Sequence, residues 1–400
     1  MCRQGMFAVI RRICIVTATR AEYGLLYWLL DELRADASVE LQLIVAGAHL
    51  SERFGMTVRQ IENDGFAITA RVPMPLDDDS AIGVTQALAA ATAGFGEALA
   101  VLQPDILVVL GDRYEMLAAA QAALLARIPI AHLHGGEATE GAIDEAIRHA
   151  ITKMSHLHFV AAEAFRARVI QLGEDPERVW TVGATGLDNI ERLARLDQTE
   201  LESELGITFK APTFLVTYHP VTLSATDQGA AMRTLLQALD GMGGTIVVTG
   251  VNADPGGLAI QREADRYAAD HPGRVLMVES LGVRRYLSVM AIADAVVGNS
   301  SSGLIEAPAI GTPTVDVGDR QQGRPRAPSV VHCDTDATAI RDAVAAALSP
   351  AHRARAASRV TPYGAPGAAQ RIARILRSHP LDDLLIKRFH DLAREQKEIR

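Results

Sequence analysis

Aromatic residues are scarce in this 400-residue chain, at 4%. Ala, Leu, Val and Ile must therefore fill its cores, which suits helices packed on strands buried on both faces. There are three cysteines, Cys2, Cys14 and Cys333. An odd number without metal-ligand spacing excludes a disulfide framework and argues for thiols in a reducing compartment. No basic block interrupts the mixed charges, and the net charge is −9. A broad polyanion-binding surface is excluded, so no nucleic-acid partner is expected. The start of the chain lacks a signal-peptide core, and no apolar run is read as long enough to cross a membrane. A cytoplasmic protein without a membrane partner is expected. The chain also lacks a G-x-G-x-x-G turn, which disfavours a dinucleotide held on a glycine fingerprint.

Short apolar runs alternate with helical patterns from end to end. Strands are predicted at 13–17, 41–46, 106–110, 129–133, 157–160 and 179–182, and again at 214–218, 245–249, 275–278, 295–297, 314–317 and 330–332. Helices are predicted between them, for example at 22–36, 84–102, 114–126 and 143–154. Strand–helix repetition implies right-handed crossovers and doubly wound parallel sheets. At this length two domains are expected, since one core of that size is unusual. Their predicted limits are 1–190 and 191–375. A C-terminal helix within 376–400 is expected to pack back on the first domain through Leu384, Leu385, Phe389 and Leu392.

Ligands of open α/β sheets bind beyond the carboxyl ends of the strands. The informative residues fall there. Arg20 follows the first strand at a helix start, where an anion is favoured. A surface arginine paired with Glu22 is the plain alternative. Gly111-Asp112-Arg113 follows the strand 106–110, and Asp112 could equally be an N-cap. The richest turn is His132-Leu-His134-Gly-Gly-Glu137, followed by Asp144 and Arg148. His132 and His134 should point the same way from one strand. Asp144 and Arg148 have helical i,i+4 spacing and could form an ordinary salt bridge worth about 0.2–0.5 kcal/mol. Without Cys or H-E-x-x-H, a zinc site is disfavoured. Several acids and imidazoles in one crevice suit proton transfer at carbon, with one group as base and another as acid. In the second half, His219 follows the first strand. The turn Gly298-Asn-Ser300-Ser301-Ser302 leads into a helix carrying Glu306, a pattern that suits a phosphate cradle. A serine-rich N-cap is the plain alternative. Arg320 and Arg324 follow the next strand.

Together these motifs resemble the UDP-N-acetylglucosamine 2-epimerase family, and most closely its hydrolysing branch, which feeds synthesis of sialic-acid-type sugars. The resemblance runs from Ile13 to about Leu376. It implies two Rossmann-like domains in a GT-B-like arrangement, with the active site in the cleft, and no cofactor or metal. It implies elimination of the nucleotide from C1 with loss of the C2 proton, then addition of water to release a free manno-configured sugar. By the same resemblance Asp112, position 134 and Asp144 match acid/base positions, and Glu137 lies beside them. Arg20, Arg113, His219, Asn252, Ser300, Ser301, Glu306 and Arg320 match nucleotide-binding positions, and Arg148 is expected to bind the substrate with them. The family usually has Glu where this chain has His134. The His form resembles the legionaminic-acid branch, whose sugar is N,N′-diacetylbacillosamine carried on UDP or GDP. His134 or Glu137 would then replace the missing acid. The family also suggests homodimers or homotetramers. A non-hydrolysing epimerase, a GT-B glycosyltransferase and a non-catalytic sugar-nucleotide sensor are the alternatives.

Overall fold

The chain's computed structural model describes residues 10–78, 80–140, 143–221, 227–250 and 257–392. Two units divide it. The first takes the chain up to Glu137, Ala146–Thr185 and everything from Gly367 on. The second takes Ala138–Glu145 and Gly186–Pro366. The units therefore change over at 185/186 and 366/367, and a short segment after Glu137 goes with the second.

The first unit is built on seven strands: β1 (Arg11–Thr17), β2 (Val39–Ala46), β3 (Ala70–Val72), β4 (Ile106–Leu110), β5 (Ile130–Leu133), β6 (Leu157–Val160) and β7 (Val179–Thr181). All pairings are parallel, in the order β3-β2-β1-β4-β5-β6-β7. The side chains of β1 alternate between two cores. Ile13 and Ile15 join the core under the helices Arg20–Arg34 and Ala368–Ser378. Cys14 and Val16 join the core under Ala81–Leu102 and Tyr114–Leu125. Both faces are apolar, so the strands read as continuous apolar runs rather than alternating ones.

The second unit has β8 (Thr213–Thr217), β9 (Thr245–Thr249), β10 (Val275–Val278), β11 (Ala295–Gly298), β12 (Thr314–Val317) and β13 (Val330–Cys333). They form a parallel sheet in the order β10-β9-β8-β11-β12-β13. Cores again lie on both faces. In both units the strand order reverses beside the first strand, at β1/β4 and at β8/β11. That reversal opens a crevice at the strands' carboxyl ends.

Three expectations need correction. The edge strand β3 is absent from the predicted set. The helix Ala81–Leu102 has 22 residues and, among the described residues, is long and apolar enough to cross a membrane by length and composition. It instead packs Gly83, Ala87, Ala91, Phe95 and Leu99, spaced by four, into the first unit. The tail from Leu381 to Leu392 is not helical. Among the described residues the last helix is Ala368–Ser378, after which Pro380 and two aspartates break the pattern, and positions 393–400 of the predicted helix lie outside the described residues. Only Leu384 of the four predicted apolar anchors is buried, while Leu385, Phe389 and Leu392 are exposed. The tail still lies on the first unit: Lys387 Nζ donates to Lys153 O at 2.7 Å and pairs with Glu174 at 2.8 Å.

Candidate active site

The turn after β4 starts at Gly111, whose φ of +81° places it in the left-handed region that glycine tolerates. Asp112 follows it and does not cap the next helix. The cap position belongs to Arg113, which makes no side-chain cap bond. The Asp112 carboxylate instead receives Nη2 of Arg148, from the helix Asp144–Met154. Arg148 is buried. Its Nη1 donates to the His134 carbonyl at 3.2 Å and lies 3.5 Å from Oε2 of Glu137. Oε1 of Glu137 meets Nδ1 of His134 at 2.6 Å. Nε2 of His134 in turn lies 3.0 Å from Oγ1 of Thr185. One chain of polar contacts thus runs Asp112–Arg148–Glu137–His134–Thr185 through the carboxyl end of the sheet.

The turn that carries Glu137 is sterically defined. His134 has φ +62°, unusual for a residue with a side chain, and Gly136 has φ +74°. A Cβ on Gly136 would come within 2.5 Å of the Phe165 carbonyl. Arg168 Nη1 holds the Gly136 carbonyl at 2.5 Å. Because His134 leaves the strand conformation, it does not share partners with His132. The His132 ring donates Nε2–H to Gly111 O at 2.7 Å and lies 3.1 Å from Thr152 Oγ1 through Nδ1. Burial lowers its pKa to about 3, so the ring is neutral. It ties the Asp112 turn to β5. Among the described residues no group of three or more His, Cys, Asp or Glu is arranged to hold a metal.

Asp144 opens its helix one turn before Arg148 and is half-buried. Arg20 opens the helix after β1 and is exposed. Glu22 does not turn to Arg20. Its Oε2 accepts the amides of Ala18 and Thr19 at 2.9 and 3.0 Å and completes a capping box. Burial, with the Glu115 charge adding to it, raises the Glu22 carboxyl to about 7. Arg113 forks onto Glu115 at 3.1 and 3.0 Å, so that guanidinium is aimed by a buried carboxylate.

In the second unit the hub is Asn299, fully buried at the end of β11. Its Oδ1 accepts the His219 amide at 2.7 Å and its Nδ2 donates to the His219 carbonyl at 2.8 Å. Its own carbonyl accepts Arg320 Nη1 at 3.2 Å and Gln321 Nε2 at 2.8 Å. Burial, assisted by the Arg320 charge, lowers His219 to about 3, so it offers a neutral imidazole. The helix Ser302–Ile310 begins with Ser301 at its cap without a side-chain cap bond. Ser300 Oγ lies 3.2 Å from Ser302 Oγ. Tyr286 OH and Thr249 Oγ1 lie 3.4 and 2.8 Å from Thr217 Oγ1 at the end of β8. Hydroxyls at a helix N-terminus with Arg320 nearby suit an anion. Glu306 sits on that helix, half-buried. Asn252 lies outside the described residues.

The sequence motifs therefore meet as two groups, the acid–imidazole cluster of the first unit and the hydroxyl-rich turn of the second. Thr185, Asn299, Gln321 and Tyr286 were not among the predicted site residues. Asn299 was visible inside its motif. Thr185 carried no signal, because its partner is 51 positions away in the chain.

Two doubly wound parallel α/β units, one with clustered acids and the other with an anion-suited turn, fit the class of enzymes that do acid/base chemistry on a phosphate-bearing substrate. Residues 31–377 match the profile of the UDP-N-acetylglucosamine 2-epimerase family, and the chain belongs to that family. It is 42% identical over 80% of its length to the Campylobacter jejuni GDP/UDP-N,N′-diacetylbacillosamine 2-epimerase (hydrolyzing), covering 84% of that protein. It is 37% identical over 85% of its length to the Legionella pneumophila UDP-N,N′-diacetylbacillosamine 2-epimerase (hydrolyzing), covering 90% of it. Its fold is shared with the UDP-GlcNAc 2-epimerase of Neisseria meningitidis bound to UDP-GlcNAc. The TM-score is 0.78 at 15% identity, over 91% of this chain and 99% of the other.

Proposed function

We propose that this enzyme is a hydrolysing 2-epimerase of UDP- or GDP-linked N,N′-diacetylbacillosamine. The observation that carries the reading is the identity, 42% and 37%, to two relatives that both bear that activity in their names. In the first step a base removes the C2 proton while the C1–O bond breaks and the nucleoside diphosphate leaves, giving a 2-acetamidoglucal. In the second step water adds its hydroxyl to C1. A proton returns to C2 on the opposite face, and the free manno-configured sugar is released. The bond changes are proton transfers, departure of the diphosphate and addition of the water hydroxyl to C1, so the protein must supply placed acids, bases and anion donors.

We assign proton exchange to Asp112, Glu137 and Asp144, with His134 beside Glu137 and Arg148 fixing the Asp112 and Glu137 carboxylates. His219, Ser300, Ser301 and Arg320 hold the diphosphate, Glu306 and Asn252 the nucleoside, and Arg20 and Arg113 add positive charge. In this reading the enzyme works in the cytoplasm as a homodimer or homotetramer. The test is incubation with UDP- and GDP-linked 2,4-diacetamido-2,4,6-trideoxyglucose and with UDP-GlcNAc, following free nucleotide by chromatography. Release from a diacetamido sugar nucleotide supports the reading. Turnover of UDP-GlcNAc alone would reject the substrate, and an epimer still bearing its nucleotide would reject hydrolysis.

A further inference from the structure

The surroundings of His134 decide what its imidazole can do. Both ring nitrogens are engaged, Nδ1 with Glu137 Oε1 at 2.6 Å and Nε2 with Thr185 Oγ1 at 3.0 Å. The Thr185 backbone N–H also points at Nε2, at 3.4 Å. A backbone amide can only donate. Nε2 must therefore present its lone pair, and the ring N–H sits on Nδ1. The Thr185 hydroxyl rotates to donate to the same lone pair. The residue is 8% exposed, so little water is at hand to take the amide's place at Nε2.

The proton on Nδ1 then has one acceptor, the Glu137 carboxylate. The other Glu137 oxygen faces Arg148, and Arg148 reaches Asp112. The backbone enforces this aim. His134 keeps its left-handed φ because its N–H donates to Phe159 O at 2.9 Å and its carbonyl accepts Arg148. Neither ring nitrogen is left to meet a sugar.

We propose that Thr185 and His134 are positioning residues. Thr185 fixes the His134 tautomer, and His134 acts only by donating Nδ1–H to Glu137, exchanging no proton with the substrate. This rests on the proposed epimerase reading for its functional consequence, although the tautomer itself can be observed without turnover.

Two substitutions separate a donor from a proton carrier. In His134→Asn the side-chain amide takes the place of Nδ1–H, has no titratable proton, and belongs to a residue type that tolerates positive φ. His134→Gly suits the same φ and supplies no donor. The expected results are a kcat for His134→Asn within about tenfold of wild type and a loss on the order of a hundredfold for His134→Gly, in the range of losses seen when a supporting partner is removed from a functional site. KM should change little in both. The pH profile of kcat for His134→Asn should keep every limb of the wild-type profile. Thr185→Val, which keeps the amide and loses the hydroxyl, should fall between the two. In ¹⁵N-histidine spectra of the intact protein, the ring signals missing from His134→Asn should show a protonated Nδ1 and an unprotonated Nε2.

An Nε2–H tautomer or an imidazolium at neutral pH overturns the proposal. So does a folded His134→Asn as inactive as His134→Gly, or one that loses a limb of the pH profile. Failure of the wild type to release nucleotide from any sugar would instead remove the epimerase reading, with the spectra still deciding the tautomer.

Discussion

Replacing Arg148 by Met keeps its length and apolar stem but leaves the carboxylates of Asp112 and Glu137 without this guanidinium. Arg148 and Glu137 have side chains only 3% and 4% exposed, whereas Asp112 is 21% exposed. Removing one partner of a buried ion pair costs about 3–5 kcal/mol, because the remaining charge stays buried. Here the low end applies, about 3 kcal/mol, since Asp112 can regain water. The chain's two tryptophans, Trp28 and Trp180, both lie in the first unit. Their fluorescence in a urea titration therefore reports that unit, even if the two units unfold separately. The expected outcome is a clearly lower midpoint. Adding Asp112→Asn to Arg148→Met should recover part of the loss, because one of the two stranded charges is gone, with a coupling of about 1–3 kcal/mol. A midpoint for Arg148→Met within the equivalent of about 0.5 kcal/mol of wild type would refute the idea that this guanidinium compensates the cluster.

Gly136→Ala should destabilise the first unit and lower kcat, because the new methyl meets the Phe165 carbonyl at 2.5 Å in a left-handed turn; thermal melting and initial rates check it. Asn299→Ala should weaken nucleotide binding about thirtyfold in calorimetry, as two hydrogen bonds that hold His219 are lost, each worth about 1 kcal/mol. Unchanged affinity would remove Asn299 from the site. Burial raises the Glu174 carboxyl, but His158, Lys153 and Lys387 outweigh it and bring it to about 2, below its ordinary 4.5. A depressed folded pKa gives stability that is fully present above the unfolded value. It is lost as pH falls between about 4.5 and about 2. Glu174→Gln should flatten the acid limb of stability in that window, and a limb as steep as wild type would count against the cluster.

The sheets were largely legible in the chain because their strands are apolar on both faces. Ile13–Thr17 and Ile106–Leu110 need no alternation to be recognised. The edge strand β3 was not legible: three residues that include the exposed Arg71 make no pattern. The tail was misread as a helix because Leu384, Leu385, Phe389 and Leu392 look like anchors, whereas Lys387 on Glu174 fastens it. The site residues were visible where they follow strand ends, as Asp112, His134 and Ser300 do. Their partners were not, since Arg148 meets Asp112 across 36 positions and Thr185 meets His134 across 51. The i,i+4 rule suggests Asp144 for Arg148, but only the folded sheet brings Asp112 and Glu137 to it.

The most direct measurement of the central claim is turnover of UDP- or GDP-linked N,N′-diacetylbacillosamine in deuterium oxide, with both products identified. One free nucleoside diphosphate per free manno-configured sugar, carrying one deuterium at C2, is the predicted result. Free sugar without deuterium at C2, or a C2 epimer that keeps its nucleotide, would contradict the account.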